Sequence, residues 1–172
     1  SESAKGAKIE VELPDFPGVT AMNLDPDILP KLGLRSEKGR LIAPVHLTIP
    51  AAAMGSGLGS YHSYSGDYDV QMFDPESVRE YRLDELRLGD LVAIIDADSK
   101  FGRSYRRGHI VIGIVVHSCS TVAGHGPGVT TLFTGKKEHL GFELSKKANL
   151  AFALGIGVAR KNKTKAKKRR KK

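Results

Sequence analysis

The stretch Gly108-His109-Ile110-Val111-Ile112-Gly113-Ile114-Val115-Val116-His117 decides the fold class. Branched apolar side chains dominate it, and branching at Cβ suits an extended, pleated backbone better than a helix. Residues 110–116 are apolar without interruption, yet far short of the roughly 20 residues needed to span a bilayer. The segment is therefore read as a strand of a water-soluble core. Upstream, Leu88-Gly89-Asp90 turns the chain into a second branched strand at residues 91–95, and residues 96–108 form a polar loop between the two. Downstream, the glycine-rich turn at residues 124–128 leads into a strand at 129–134.

Further out, residues 8–13 alternate apolar Ile9, Val11 and Leu13 with Glu10 and Glu12, the period of a half-buried strand. Residues 40–49 and 68–73 give two more strands. The helices are short. Asp25-Pro26 and Asp74-Pro75 each place a capping carboxylate before a proline suited to the first helical position. Residues 50–54 turn once as a helix, and residues 149–158 are equally compatible with strand and helix. The fold class is mainly β (α+β), a barrel-like or sandwich core with short helical decorations.

The chain has 172 residues, 40% hydrophobic and 27% charged, which fits a globular protein and neither a disordered tail nor a membrane protein. Its single cysteine, Cys119, excludes an intrachain disulfide and fits a reducing, cytoplasmic setting. The net charge of +8 is unevenly distributed. Arg160, Lys161, Lys163, Lys165, Lys167, Lys168, Arg169, Arg170, Lys171 and Lys172 are ten of the 27 basic residues, and no acid follows Glu143. The remainder carries 17 basic and 19 acidic residues, a net −2. The expected organisation is an extension at residues 1–7, a β-rich domain at 8–158 and a solvated basic tail at 159–172.

Several ordered motifs resemble an uncharacterised prokaryotic family filed as a domain of unknown function. They are Met22-Asn23-Leu24-Asp25-Pro26-Asp27, Ile49-Pro50-Ala51-Ala52-Ala53-Met54-Gly55-Ser56-Gly57, Ser65-Gly66-Asp67-Tyr68-Asp69, Leu88-Gly89-Asp90 and Tyr105-Arg106-Arg107-Gly108. His117-Ser118 and Ala123-Gly124-His125-Gly126-Pro127-Gly128-Val129 extend the list. The resemblance covers about residues 8–158 and implies a β-rich, barrel-containing architecture with no established activity. It also implies a further N-terminal domain that this sequence lacks, and the basic tail lies outside the family pattern.

Two Asp-x-Asp pairs carry candidate chemistry. Residues two apart in an extended chain point the same way, so Asp67 with Asp69, and Asp96 with Asp98, each offer paired carboxylates. Such pairs suit a divalent cation, assigned first to Asp67 and Asp69, or a division of acid and base roles. The competing reading is that each Asp makes a local turn. His117 and His125, with Asp96 and Asp98, are the candidate catalytic groups. Gly124, Gly126 and Gly128 can turn backbone N–H groups toward an anion, and Arg103 and Arg106 can grip one by paired hydrogen bonds. The glycines serve equally as a tight connection, and the arginines as partners of Asp96 and Asp98. His62 is a further ligand candidate in the Gly/Ser/Tyr loop, and Cys119 reads as structural. There is no nucleophile elbow, no phosphate loop ending in Gly-Lys-Ser/Thr, no His-Glu-x-x-His and no Cys-x-x-Cys.

Two functions follow from these features. The first is association with nucleic acid, RNA rather than DNA and in a ribosome-like assembly, through the polybasic tail, without a membrane partner. The second is a small-molecule hydrolase or lyase using the Asp/His set. A loose similarity of its Gly-Asp turns and Gly/His/Pro loops to acetamidases and formamidases makes metal-dependent amide hydrolysis its named version. The tail reading has a direct test: deleting residues 160–172 is expected to abolish most sequence-independent RNA binding, because the rest is net acidic. With about five phosphates contacted, log affinity should fall with log salt at a slope near −4. Equal affinity of the full and truncated chains across a salt series would overturn it.

Overall fold

The computed structural model describes residues 10–55, 66–118 and 125–156. Ten strands form two sheets among these residues: β1 (Glu10–Val11), β2 (Val19–Met22), β3 (Arg35–Glu37), β4 (Arg40–Val45), β5 (Leu47–Pro50), β6 (Tyr68–Asp69), β7 (Leu91–Asp98), β8 (Ser104–His117), β9 (Gly128–Lys136) and β10 (Leu140–Leu144). The larger sheet runs β1-β2-β9-β8-β7-β5, with β6 also on β9, and the smaller runs β10-β4-β3. Helix α1 (Pro75–Tyr81) and helix α2 (Leu150–Leu154) are short, and three short 3-10 segments complete the fold among the described residues.

The long antiparallel β7–β8–β9 ladder is its centre. Alternate side chains of these strands enter different cores. Leu91, Ala93, Ile110 and Ile112 join one apolar cluster with Leu41, Ala43 and Leu140 of the smaller sheet. Val92, Ile94, Val111 and Val115 join another with Ile49, Tyr68, Val70 and Leu83 on the opposite face. A sheet covered on both faces needs apolar residues at consecutive positions, which is why residues 110–115 lack polar alternation. The larger sheet is open, ending at β1 and β5, and does not close into a barrel. Its faces are covered by the smaller sheet and by short helical turns, so burial does not depend on curling.

Other expectations change in instructive ways. Residues 40–49 are two strands in different sheets, separated at His46, whose N–H donates to the Leu91 carbonyl. The polar stretch 96–108 is mostly ladder: β7 continues to Asp98, β8 begins at Ser104, and a bulge at Asp96, with φ of 60°, absorbs the irregularity. Within residues 149–158 a helix covers Leu150–Leu154, capped by the Asn149 side chain, which accepts from the Ala151 N–H, and ended by Gly155, while residues 157 and 158 lie outside the described residues. The Asp-Pro starts behave differently. Asp74 caps α1 through the N–H groups of Glu76 and Ser77, whereas Asp25 opens only a 3-10 turn that Pro30 interrupts.

Leu88-Gly89-Asp90 fastens the start of β7. Asp90 is fully buried and accepts from the Arg87 N–H at 2.9 Å, from the Arg87 guanidinium and from the Asn149 side chain at 2.8 Å. Gly89, at φ of 83°, donates to the Val115 carbonyl and accepts from the Leu150 N–H. The turn thus joins β7, β8 and α2.

The ladder makes a contrast within one strand. Ile112 is fully buried while Val116, four residues on in the same apolar run, is 41% exposed. Ile112→Ala is expected to cost about 2–5 kcal/mol of unfolding free energy and Val116→Ala under about 1 kcal/mol, read from urea denaturation. Equal costs would contradict the two-faced core.

Candidate functional site

Polar side chains gather where β6, β9 and β8 meet. β6 pairs with β9 so that Asp69 faces Gly128, and β8 pairs with the other edge of β9 so that His117 also faces Gly128. A bulge after Val115 brings His117 into that register. Gly128 is the point of closest approach. A Cβ there would occupy the space in which the Asp67 carboxylate and the His117 ring meet, so only glycine lets the side chains of the flanking strands converge. Gly126 is similarly confined by the Val70 carbonyl.

The contacts are short. His117 Nε2 lies 2.6 Å from Asp67 Oδ2 and 3.3 Å from Asp69 Oδ1, and His125 Nδ1 lies 2.6 Å from Asp69 Oδ2. Asp69 is buried, while the two histidine side chains are 46% and 42% exposed, so the cluster opens to solvent on its histidine side. One donor atom from each of Asp67, Asp69 and His117 lies within 4.8 Å of the others.

Hydrogen-bond accounting gives the cluster its chemical meaning. His117 Nδ1 lies 2.8 Å from the Ser118 carbonyl, which can only accept, so Nδ1 carries a proton. In the neutral ring Nε2 is then a bare lone pair facing two carboxylates. Asp67 Oδ2 is shielded from solvent and lies 2.6 Å from Nε2, the separation of a hydrogen bond when the ring carries a proton there. Three acceptors directed into one space need a cation between them or a proton on the ring. The histidine is held above its ordinary value, first by the Ser118 carbonyl and then by the Asp67 and Asp69 charges and the Asp67 hydrogen bond, against an opposing effect of partial burial. His125 stands differently: its Nδ1–H can donate to the Asp69 oxygen turned away from His117, an arrangement that orients an imidazole and leaves Nε2 for proton transfer.

The remaining candidates lie elsewhere. Asp96 accepts from the Gly108 N–H at 2.8 Å and from Lys137 at 3.1 Å. Asp98 accepts from the Thr134 hydroxyl, the Lys100 N–H and Arg106. Both carboxylates thus belong to the β7–β8 turn and its neighbour β9, away from His117 and His125. Arg103 donates to the Gly55 carbonyl, and its guanidinium lies 5.4 Å from the centre of the Tyr68 ring. Because the Gly55 N–H donates to the Asp69 carbonyl, Arg103 buttresses the backbone of β6. Gly124, His62, Cys119 and the ten tail cations lie outside the described residues.

The family described as "Domain of unknown function (DUF4438), C-terminal" matches residues 31–154. The chain belongs to this family. It is also similar to a solved structure described as "Crystal structure of TM1086", with 43% sequence identity and a TM-score of 0.75 over 81% of this chain. That similarity spans 49% of the TM1086 chain, so this chain corresponds to about half of its length. Among curated proteins none matches. Among the described residues no helix is long and apolar enough to cross a membrane.

Asp98 supplies a pH test. Burial alone would raise its carboxyl, but Arg106, the Lys100 N–H and Thr134 together hold it below the ordinary value of 3.8. A depressed folded-state value contributes stability that is complete above the unfolded value and is lost as pH falls through the folded one. Wild type is therefore expected to lose stability on acidification below about pH 4, and Asp98→Asn, already weaker at neutral pH, should lose less over the same range. Parallel acid-titration curves for the two would contradict the assignment.

Proposed function

We propose that Asp67, Asp69 and His117 hold a divalent metal ion and that the domain uses it to hydrolyse a small polar substrate, with amides as the leading class. The observation that carries this reading is the convergence of Asp67 Oδ2, Asp69 Oδ1 and His117 Nε2 on one space, with His117 Nδ1 already committed to the Ser118 carbonyl. Two carboxylates and one imidazole form a mixed oxygen and nitrogen set, which suits zinc, manganese or ferrous iron better than calcium. Three protein ligands leave further positions for water and substrate. Such an ion lowers the pKa of a bound water and polarises a carbonyl. Asp69 does double duty in this reading: one oxygen faces the ion and the other orients His125, whose free nitrogen takes or returns a proton on the exposed side.

The charge distribution supports a second reading, in which the ten tail cations attach the domain to the phosphate backbone of RNA. The two are compatible, since a tail can localise a catalytic domain. A cytoplasmic setting suits both, given the single cysteine.

The metal reading is tested on the full chain stripped with a chelator and then given zinc, manganese or magnesium. At about a hundredfold excess over Kd, zinc or manganese is expected to raise the thermal midpoint by roughly 5–10 °C. Asp67→Asn, His117→Gln and Gly128→Ala should remove that shift, and Asp96→Asn should keep it. Metal-dependent turnover of a simple amide should be lost in the same three variants. An unchanged midpoint with all three metals would leave His117 as a protonated ion-pair partner and overturn the proposal.

A further inference from the structure

A polar cavity, of about 250 Å³, lies beside the turn joining β7 to β8 and shares none of its lining residues with the Asp67 cluster. Lys100, Arg106, His109, Lys136 and His139 surround it, and Asp98 is its one carboxylate. That carboxylate is saturated. Its Oδ1 accepts from the Thr134 hydroxyl at 2.9 Å and the Lys100 N–H at 3.1 Å, and its Oδ2 accepts from Arg106 at 2.9 Å. Asp98 therefore fixes the guanidinium through one nitrogen and leaves the other donors of the fork unclaimed by it. Two ammonium groups remain, and the Lys136 contact to Glu138, between half-exposed side chains, neutralises little.

Two further features describe the wall. His109 lines the cavity, but its Nδ1 is buried without a hydrogen-bond partner and closed to solvent, so the ring serves as wall and that nitrogen is not a contact for a ligand. The wall is also closely packed: a side chain at Gly18 would collide with the His139 ring, and one at Gly135 would press on the Gly18 carbonyl. The charge is local as well. The β7–β8 turn and the end of β9 carry six basic residues (Lys100, Arg103, Arg106, Arg107, Lys136, Lys137) against Asp96, Asp98 and Glu138, while the other residues before the tail have 11 basic and 16 acidic. An anion is drawn to this end of an otherwise acidic body.

We propose that this cavity binds a phosphate group, either free or as the phosphomonoester of a small molecule. A guanidinium fork fixed by Asp98 and two lysines match the several acceptor oxygens of a phosphate dianion better than the two of a carboxylate. The site is independent of the proposed metal centre, so either can fail without the other.

The test is titration of the full, isotopically labelled chain with inorganic phosphate, with glycerol 3-phosphate and with a single-stranded oligonucleotide, at constant ionic strength. Amide resonances of His109, Thr134, Lys136 and His139 are expected to shift saturably with the first two, and those of Asp69 and His117 to stay. Tighter binding of glycerol 3-phosphate than of phosphate would assign the phosphomonoester, and equal binding the free ion. Lys136→Ala and Lys100→Ala should each weaken binding about tenfold. Arg106→Ala strands Asp98, so Arg106→Lys, which keeps the charge and loses the fork, is the companion variant. It should also weaken binding while melting near wild type. Shifts confined to residues 160–172, or a response to the oligonucleotide alone, would overturn the proposal.

Discussion

Everything in this domain depends on the burial of the β7–β8–β9 ladder on both faces. With no water on either side, each backbone N–H and C=O in the ladder must be paired within the sheet, and each side chain must be apolar or fully bonded. Val92, Val111 and Ile112 meet the second condition by being apolar and fully buried. Polar chemistry is consequently pushed to the ends of the strands. The Asp67–Asp69–His117–His125 cluster sits where β8 finishes, and the Asp98–Arg106–His109 group sits where it begins.

Glycine and irregularity do the positioning at the first end. The bulge after Val115 sets His117 opposite Gly128, and the missing Cβ at Gly128 leaves a gap that an ordinary strand residue would fill. Asp67, just before β6, and His117, at the end of β8, enter that gap. Arg103 and Gly55 hold the other side of β6 in place, so a two-residue strand can present Asp69 at a fixed depth. Such a short strand could not define that geometry by its own two ladder positions.

The sequence made the centre of the fold legible because branched apolar runs at residues 91–95 and 110–116 leave little alternative to strand. It was less informative where structure depends on distant partners. β10 pairs in parallel with β4, 99 residues or so away in register, and its Leu-Gly-Phe-Glu-Leu carries no local period that announces this. Arg40 to Ile49 looks like one strand because the break falls at His46, whose N–H donates to the Leu91 carbonyl, and no turn residue stands at that position. The stretch 96–108 looks like a loop because its polarity comes from Asp96, Asp98, Arg106 and Arg107, which pair with other groups or face solvent at the ladder's end. For the site, the Asp-x-Asp spacing singles out Asp67 and Asp69, which meet at His117, but not the histidines they meet; Asp96 and Asp98 share no partner, because the bulge at Asp96 breaks the alternation. The two pairs are alike in sequence and opposite in surroundings, one facing imidazoles and the other facing Lys137 and Arg106. Lys136 and His139 carried no motif at all, since a cavity assembled from β2, β8 and β9 has no linear signature.

That difference in surroundings also divides the chemistry. Around Asp96 and Asp98 every carboxylate oxygen described as bonded faces a donor that is permanently protonated or a backbone N–H, so the charges there are settled and can only shape a cavity. Around Asp67 and Asp69 the opposing groups are imidazoles, whose protons are exchangeable near neutral pH. His117 is further restricted, because the Ser118 carbonyl claims the proton on Nδ1 and leaves Nε2 to be either protonated or a ligand. His125 has no such restriction among the described contacts and donates to the same Asp69 that faces His117. A change of charge in the space between Asp67 and His117 is thereby felt at His125 through one carboxylate, which is the coupling that acid–base work at such a centre requires.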